Sequence, residues 1–112
     1  AGVPAPALFE AVAVESCKRL ATFNGQDLAN TAWAYATAGV EAPALFEAVA
    51  AEAMRRVHVL NSQDLANIAW AYGTARVEAP KLFKAVAFEA VKKMQSFNSQ
   101  ALANTAWAFA KA

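Results

Sequence analysis

The sequence predicts an all-α fold: a right-handed αα-solenoid of three 37-residue helical hairpins, six helices in all. Two observations carry that expectation. Trp33, Trp70 and Trp107 lie 37 residues apart, and Pro6, Pro43, Pro80 and Asn24, Asn61, Asn98 keep the same interval without insertion. A fixed period of this size marks a stacked repeat array, for which three units are about the minimum. Within each period a proline opens one apolar run and an asparagine opens the next, as helix starts require. The units are 1–37, 38–74 and 75–111, forming one array over 1–112. Ala1 and Ala112 hold the same place in the period, so a piece of a longer solenoid is expected.

The first helix of each unit starts at Pro6, Pro43 or Pro80, where a fixed φ and a missing N–H suit the first helical position. Leu8, Phe9, Val12, Ala13, Ser16 and Leu20 share one side of it, which should be buried. Asn24 then reads as an N-cap, with Asp27 three residues on to complete a capping box. Asn61 and Asp64 repeat this arrangement; Ala101 replaces the acid after Asn98, weakening the third cap. The second helix ends near Ala36–Ala38, with Gly39 as its stop. Arg76 stands at the equivalent place, so the glycine stop is not repeated. Leu28, Ala29, Ala32, Trp33, Tyr35 and Ala36 leave little polar arc, so this helix should be buried on more than one side, under the next unit's first helix. Trp33, Trp70 and Trp107 are accordingly assigned to the structural core. Gly73, where other units carry alanine, fits close packing or early fraying.

Composition narrows the functional classes. The chain is 58% hydrophobic, much of it alanine, which lets helices approach closely. No apolar run approaches the roughly 18 residues of a membrane span. Cys17 is the only cysteine and His58 the only histidine, so no intrachain disulfide, metal site or Ser-His-Asp set can be assembled. Met54 and Val91 stand in the place of Cys17, which argues for a structural role there. Glycine-rich phosphate loops are absent. No catalytic residue, metal or cofactor is expected, and the chain is not expected to be an enzyme.

Net charge is +1, distributed unevenly. The first unit has two bases against three acids, the second two against four, and the third six against two. Glu15, Glu52 and Glu89 stand four residues before Arg19, Arg56 and Lys93, the favourable order for intrahelical pairs, taken as surface salt bridges. Asn30, Asn67 and Asn104 sit mid-helix in apolar surroundings. They read either as ligand contacts or, preferably, as an amide ladder between units, because every unit keeps the residue.

Differences between units gather on the first helix. Glu10, Glu47 and Lys84 share one place, Val14, Ala51 and Phe88 another, and Ala21, His58 and Gln95 a third. Beside this stripe every unit carries a base: Lys18, Arg55 and Lys92. A constant scaffold, a variable stripe and one base per unit suit a modular reader of RNA, with bases on phosphates and varied side chains on nucleotides. The competing explanation is drift on a solvated face, with the bases complementing the negative helix C-terminus.

The words Asn61-Ser62-Gln63-Asp64-Leu65-Ala66-Asn67-Ile68-Ala69-Trp70-Ala71-Tyr72, preceded by Leu45-Phe46-Glu47-Ala48-Val49-Ala50, resemble octotricopeptide and heptatricopeptide repeats over essentially the whole chain. Leu65, Ala66, Asn67, Trp70 and their counterparts match scaffold positions of those repeats; their Pro-Pro-Pro-Glu-Trp signature is absent. The resemblance implies single-stranded RNA binding in an organelle, a chloroplast rather than a mitochondrion, acting on transcript stability, processing or translation. The alternative is a protein-interaction scaffold docked on a larger assembly, with neighbouring repeats or a partner chain covering the array ends.

Overall fold

Residues 2–112 are described by a computed structural model. Among them the structure is all-helical, with six α-helices: α1 Pro6–Arg19, α2 Gly25–Ala38, α3 Pro43–Arg55, α4 Ser62–Ala75, α5 Pro80–Lys92 and α6 Ser99–Lys111. A single 3₁₀ turn joins the helices of each hairpin, at Leu20–Thr22, Val57–Val59 and Met94–Ser96. Each hairpin is closed by an edge-to-face aromatic pair at the far end from this turn: Phe9–Tyr35, Phe46–Tyr72 and Phe83–Phe109, with centroids 5.0–5.1 Å apart. The Tyr35 hydroxyl donates to Phe9 O at 2.5 Å, and Tyr72 donates likewise to Phe46 O. Burial pushes the Tyr72 phenol well above its ordinary value, so it stays a donor. Phe109 offers no hydroxyl, and the third hairpin relies on ring packing.

Local signals set the helix ends as the sequence predicts. Asn24 Oδ1 accepts from Asp27 N at 2.7 Å and Asp27 Oδ2 accepts from Asn24 N at 3.0 Å, a complete capping box. Asn61 and Asp64 repeat it. Asn98 accepts from Ala101 N at 2.7 Å with no reciprocal bond. At the other end Gly39 takes φ 68° and closes a Schellman motif, Gly39 N to Ala36 O and Val40 N to Tyr35 O. Here one expectation is corrected. Arg76 takes φ 57° and the same pair of bonds forms, Arg76 N to Gly73 O and Val77 N to Tyr72 O, so the stop is repeated without its glycine. The left-handed conformation is imposed because the chain must turn into α5 at the same place in the period.

Packing between hairpins is dominated by the second helices: α2 lies along α4 and α4 along α6, whereas α1, α3 and α5 touch more sparingly. This differs from a simple overlay of each second helix by the next unit's first helix. Small residues explain it. Ala29, Ala32, Ala66, Ala69, Ala71 and Ala108 are all buried and let the α2–α4–α6 backbones come close. Gly73 marks the tightest place, since a Cβ added there would lie 3.2 Å from Ala108 Cα and O. Close packing, not fraying, accounts for that glycine. The core then continues through Leu28, Leu45, Val49, Leu60, Leu65, Ile68, Leu82 and Val86, every one essentially without solvent contact.

The first-helix side expected to be buried is buried in two units of three. Leu45 and Val49, like Leu82 and Val86, pack against the preceding hairpin, but Leu8 is 62% exposed against 1% for Leu45. Leu8 and Val12 have no preceding hairpin among the described residues to meet. Their face is the open N-terminal end of the stack. Leu102, Ala103, Ala106 and Ala110 form the open C-terminal end, where Leu28 and Leu65 show what coverage does to the same position.

Candidate nucleic-acid interface and the joints between hairpins

The variable stripe is solvent-facing in every unit. Glu10, Val14 and Ala21 on the first hairpin, Glu47, Ala51 and His58 on the second, and Lys84, Phe88 and Gln95 on the third are all exposed. Cys17 and Val91 are exposed too, whereas Met54 at the same place of the second unit is partly buried against the core. Glu10, Val14 and Cys17 share an open cleft of about 1150 Å³ with Trp33, Thr37 and the start of α3. The stripe and the tryptophan row are thus neighbours on the first hairpin.

Of the three tryptophans only Trp70 packs against the core. Trp33 and Trp107 are 44% and 41% exposed, and only Trp70 between them is half-buried. Trp33 and Trp70 stack at 5.9 Å and Trp70 and Trp107 at 6.1 Å, each pair with planes 29° apart. Helical spacing cannot distinguish an aromatic that fills its own hairpin from one that leans on its copy next door, and these do the latter. The amide ladder is also corrected. Gln63 Nε2 donates to Asn67 Oδ1 at 3.0 Å within α4, while Asn30 is exposed. Among the described residues no amide bond runs between Asn30, Asn67 and Asn104, because the tryptophan row supplies that contact.

Lys18, Arg55 and Lys92 all project into solvent. Arg55 nevertheless pairs with Glu52 at 2.9 Å and Lys92 with Glu89 at 3.9 Å, since residues three apart also face one another on a helix. Lys92 Nζ also sits 4.6 Å from the Phe88 ring centroid. Two of the three bases are therefore partly neutralised.

The other basic row does something the sequence did not disclose. Arg56 pairs with Glu52 at 3.0 Å and reaches back to the preceding hairpin, donating to Leu20 O at 3.2 Å and to Phe23 O. Lys93 repeats this, donating to His58 O at 3.0 Å and Leu60 O at 2.6 Å, with Glu89 at 3.5 Å. These are not surface ion pairs. Glu52 and Glu89 are largely buried, and each orients an arm that satisfies carbonyls left at the 3₁₀ turn. Arg19, the same residue of the first hairpin, only pairs with Glu15 in solvent at 2.8 Å. The sole sequence signal for this clasp was a base kept in every unit.

The whole described chain, residues 2–112, matches the family model described as RNA-editing substrate-binding complex 6 protein. The chain belongs to that family. The match corrects the resemblance to octotricopeptide and heptatricopeptide repeats; in this chain the Leu-Ala-Asn-x-Ala-Trp-Ala word serves close helix packing and the aromatic row. It also corrects the expected location, since an RNA-editing substrate-binding complex points to mitochondrial editing and not to a chloroplast. No curated protein and no solved structure matches the chain. Among the described residues no helix is long and apolar enough to cross a membrane.

Proposed function

We propose that the chain is a docking and structural subunit of an RNA-editing substrate-binding assembly, attached through the open ends of its helical stack and carrying out no chemistry itself. The observation that supports this is the pair of uncovered end faces. Leu8 and Val12 at one end and Leu102 at the other are exposed where their counterparts inside the stack are sealed. Covering each such side chain contributes up to about 1.5–3 kcal/mol, which favours a neighbouring repeat or a partner chain over each end. The family description supports membership of a multi-subunit complex.

The test is co-sedimentation of the tagged chain with the assembly. Leu8→Glu and Leu102→Glu put a charge on each end without touching the interior, so helix content by circular dichroism is expected to persist while association is lost. Association that survives both substitutions would exclude the ends as attachment surfaces.

A second reading, contact with single-stranded RNA along the first helices, is supported by the basic third unit and by Phe88, 68% exposed with Lys92 over its ring. It requires that Lys18→Ala, Arg55→Ala and Lys92→Ala together lower retention on poly-U resin and flatten its salt dependence, leaving the end-face variants unaffected.

A further inference from the structure

The joint between hairpins contains one steric pairing that varies along the chain. Gly25, first residue of α2, stands against the next hairpin's cap: a Cβ there would lie 2.5 Å from Asp64 Oδ2 and 2.8 Å from Leu60 Cδ2. Asp64 is buried by this approach, while Asp27, with no hairpin before it, is exposed. One period on, the first residue of α4 is Ser62, which does carry a Cβ and whose Oγ donates to Ser96 O at 3.0 Å. The residue in the place of Asp64 is now Ala101, itself buried. Leu60 is replaced by Phe97. Glycine thus faces aspartate at the first joint, and serine faces alanine at the second. On the register of the first joint, the missing acid of the third cap, which looks like mere decay of the capping box, leaves room for the Ser62 side chain.

We propose that this pair is a selectivity lock on the C-terminal end face, which accepts another hairpin of the same repeat only when that hairpin has a small uncharged residue in the place of Asp27. The proposal rests on the docking role of the ends set out above. The face supplies everything else a joint uses. Trp107 lies where Trp70 receives its neighbour, Gln95 O and Phe97 O lie where His58 O and Leu60 O receive Lys93, and Leu102, Ala103 and Ala106 continue the apolar surface. On the N-terminal face Arg19, Trp33, Leu8 and Val12 are the complementary set. By those features the chain's own first hairpin would fit its own last one, head to tail. Ser99 prevents it: its Cβ would meet Asp27, whose carboxylate is held in place by Asn24 N. A swing of the Asp27 carboxylate relieves that clash only by giving up its bond from Asn24 N.

Sedimentation velocity over a concentration series tests this with the chain as it stands. The parent chain is expected to show little self-association. Ser99→Gly, which creates a glycine–aspartate joint and leaves every capping box intact, is expected to associate head to tail at least about tenfold more tightly, equivalent to about 1.4 kcal/mol. Asp27→Ala, which creates a serine–alanine joint, is expected to give the same gain by the opposite route. Adding Trp107→Ala to Ser99→Gly should cancel the gain. If parent and variants associate equally, and Trp107→Ala weakens all of them, the lock is wrong while the docking role of the ends stands. If none associates, the faces are not joint-competent, and the lock and the docking reading are both overturned.

Discussion

The middle hairpin and the outer two are written in nearly the same words, and their surroundings differ sharply. Leu65 of α4 is 0% exposed and Leu102 of α6 is 44% exposed, although both follow the same Asn-Ser-Gln start and precede the same Ala-Asn pair. Trp70 lies between two stacked neighbours, while Trp33 and Trp107 each have one. The difference teaches that a residue's role here is set by how many hairpins flank it, not by its own motif. In such a quasi-one-dimensional array stability is a sum of unit terms and joint terms.

That contrast can be broken most forcefully at the paired leucines. Leu65→Ala is expected to lose about 3–5 kcal/mol, because a sealed site between two hairpins cannot collapse around the cavity. Leu102→Ala should lose under about 1 kcal/mol, since its side chain already meets water. Urea denaturation of both, followed by helical circular dichroism, gives the comparison; equal losses would mean that coverage by neighbours is not what separates the two sites.

The clasp gives an intermediate effect. Arg56→Ala removes two bonds to the preceding hairpin and leaves the largely buried Glu52 with Arg55 as its remaining partner, for an expected loss of about 2–3 kcal/mol. Arg19→Ala, the same substitution where there is nothing behind to hold, should change stability by less than about 0.5 kcal/mol. Smallest is the stop of α4. Arg76→Gly relieves a left-handed arginine and is expected to raise stability by up to about 1 kcal/mol, with Gly39→Ala lowering it by a similar amount at the equivalent turn. If Arg76→Gly destabilises, the side chain of Arg76 does more than tolerate its turn.

These contrasts also show what the sequence could disclose. Helix starts were legible because their causes are local: Pro6, Pro43 and Pro80 fix φ, and Asn24 and Asp27 bond to each other within one turn. The period, read from the tryptophans, located the three hairpins. The environment of those same tryptophans was not legible, because stacking of Trp33 on Trp70 depends on how closely α2 and α4 approach, which the alanines set jointly. Arg56 reads as half of an i,i+4 pair because Glu52 does stand four residues before it; its second set of partners lies 33 to 36 residues away, beyond any helical-wheel argument. The stop at Arg76 is not legible because no glycine marks it, yet the Val77-to-Tyr72 bond holds the turn there. That the stripe faces solvent follows from its opposition to the apolar face alone.

The Arg56 and Lys93 fasteners of this stack both point one way along the chain. The arm on a later hairpin grips the carbonyl groups of the one before it, so each 37-residue unit arrives carrying both a hook and, at its own turn, the eye for the next. Copying a whole unit therefore multiplies complete fastenings, whereas inserting any other length would leave a hook with no eye. An architecture of that kind can lengthen by duplication without reinventing how its parts hold together.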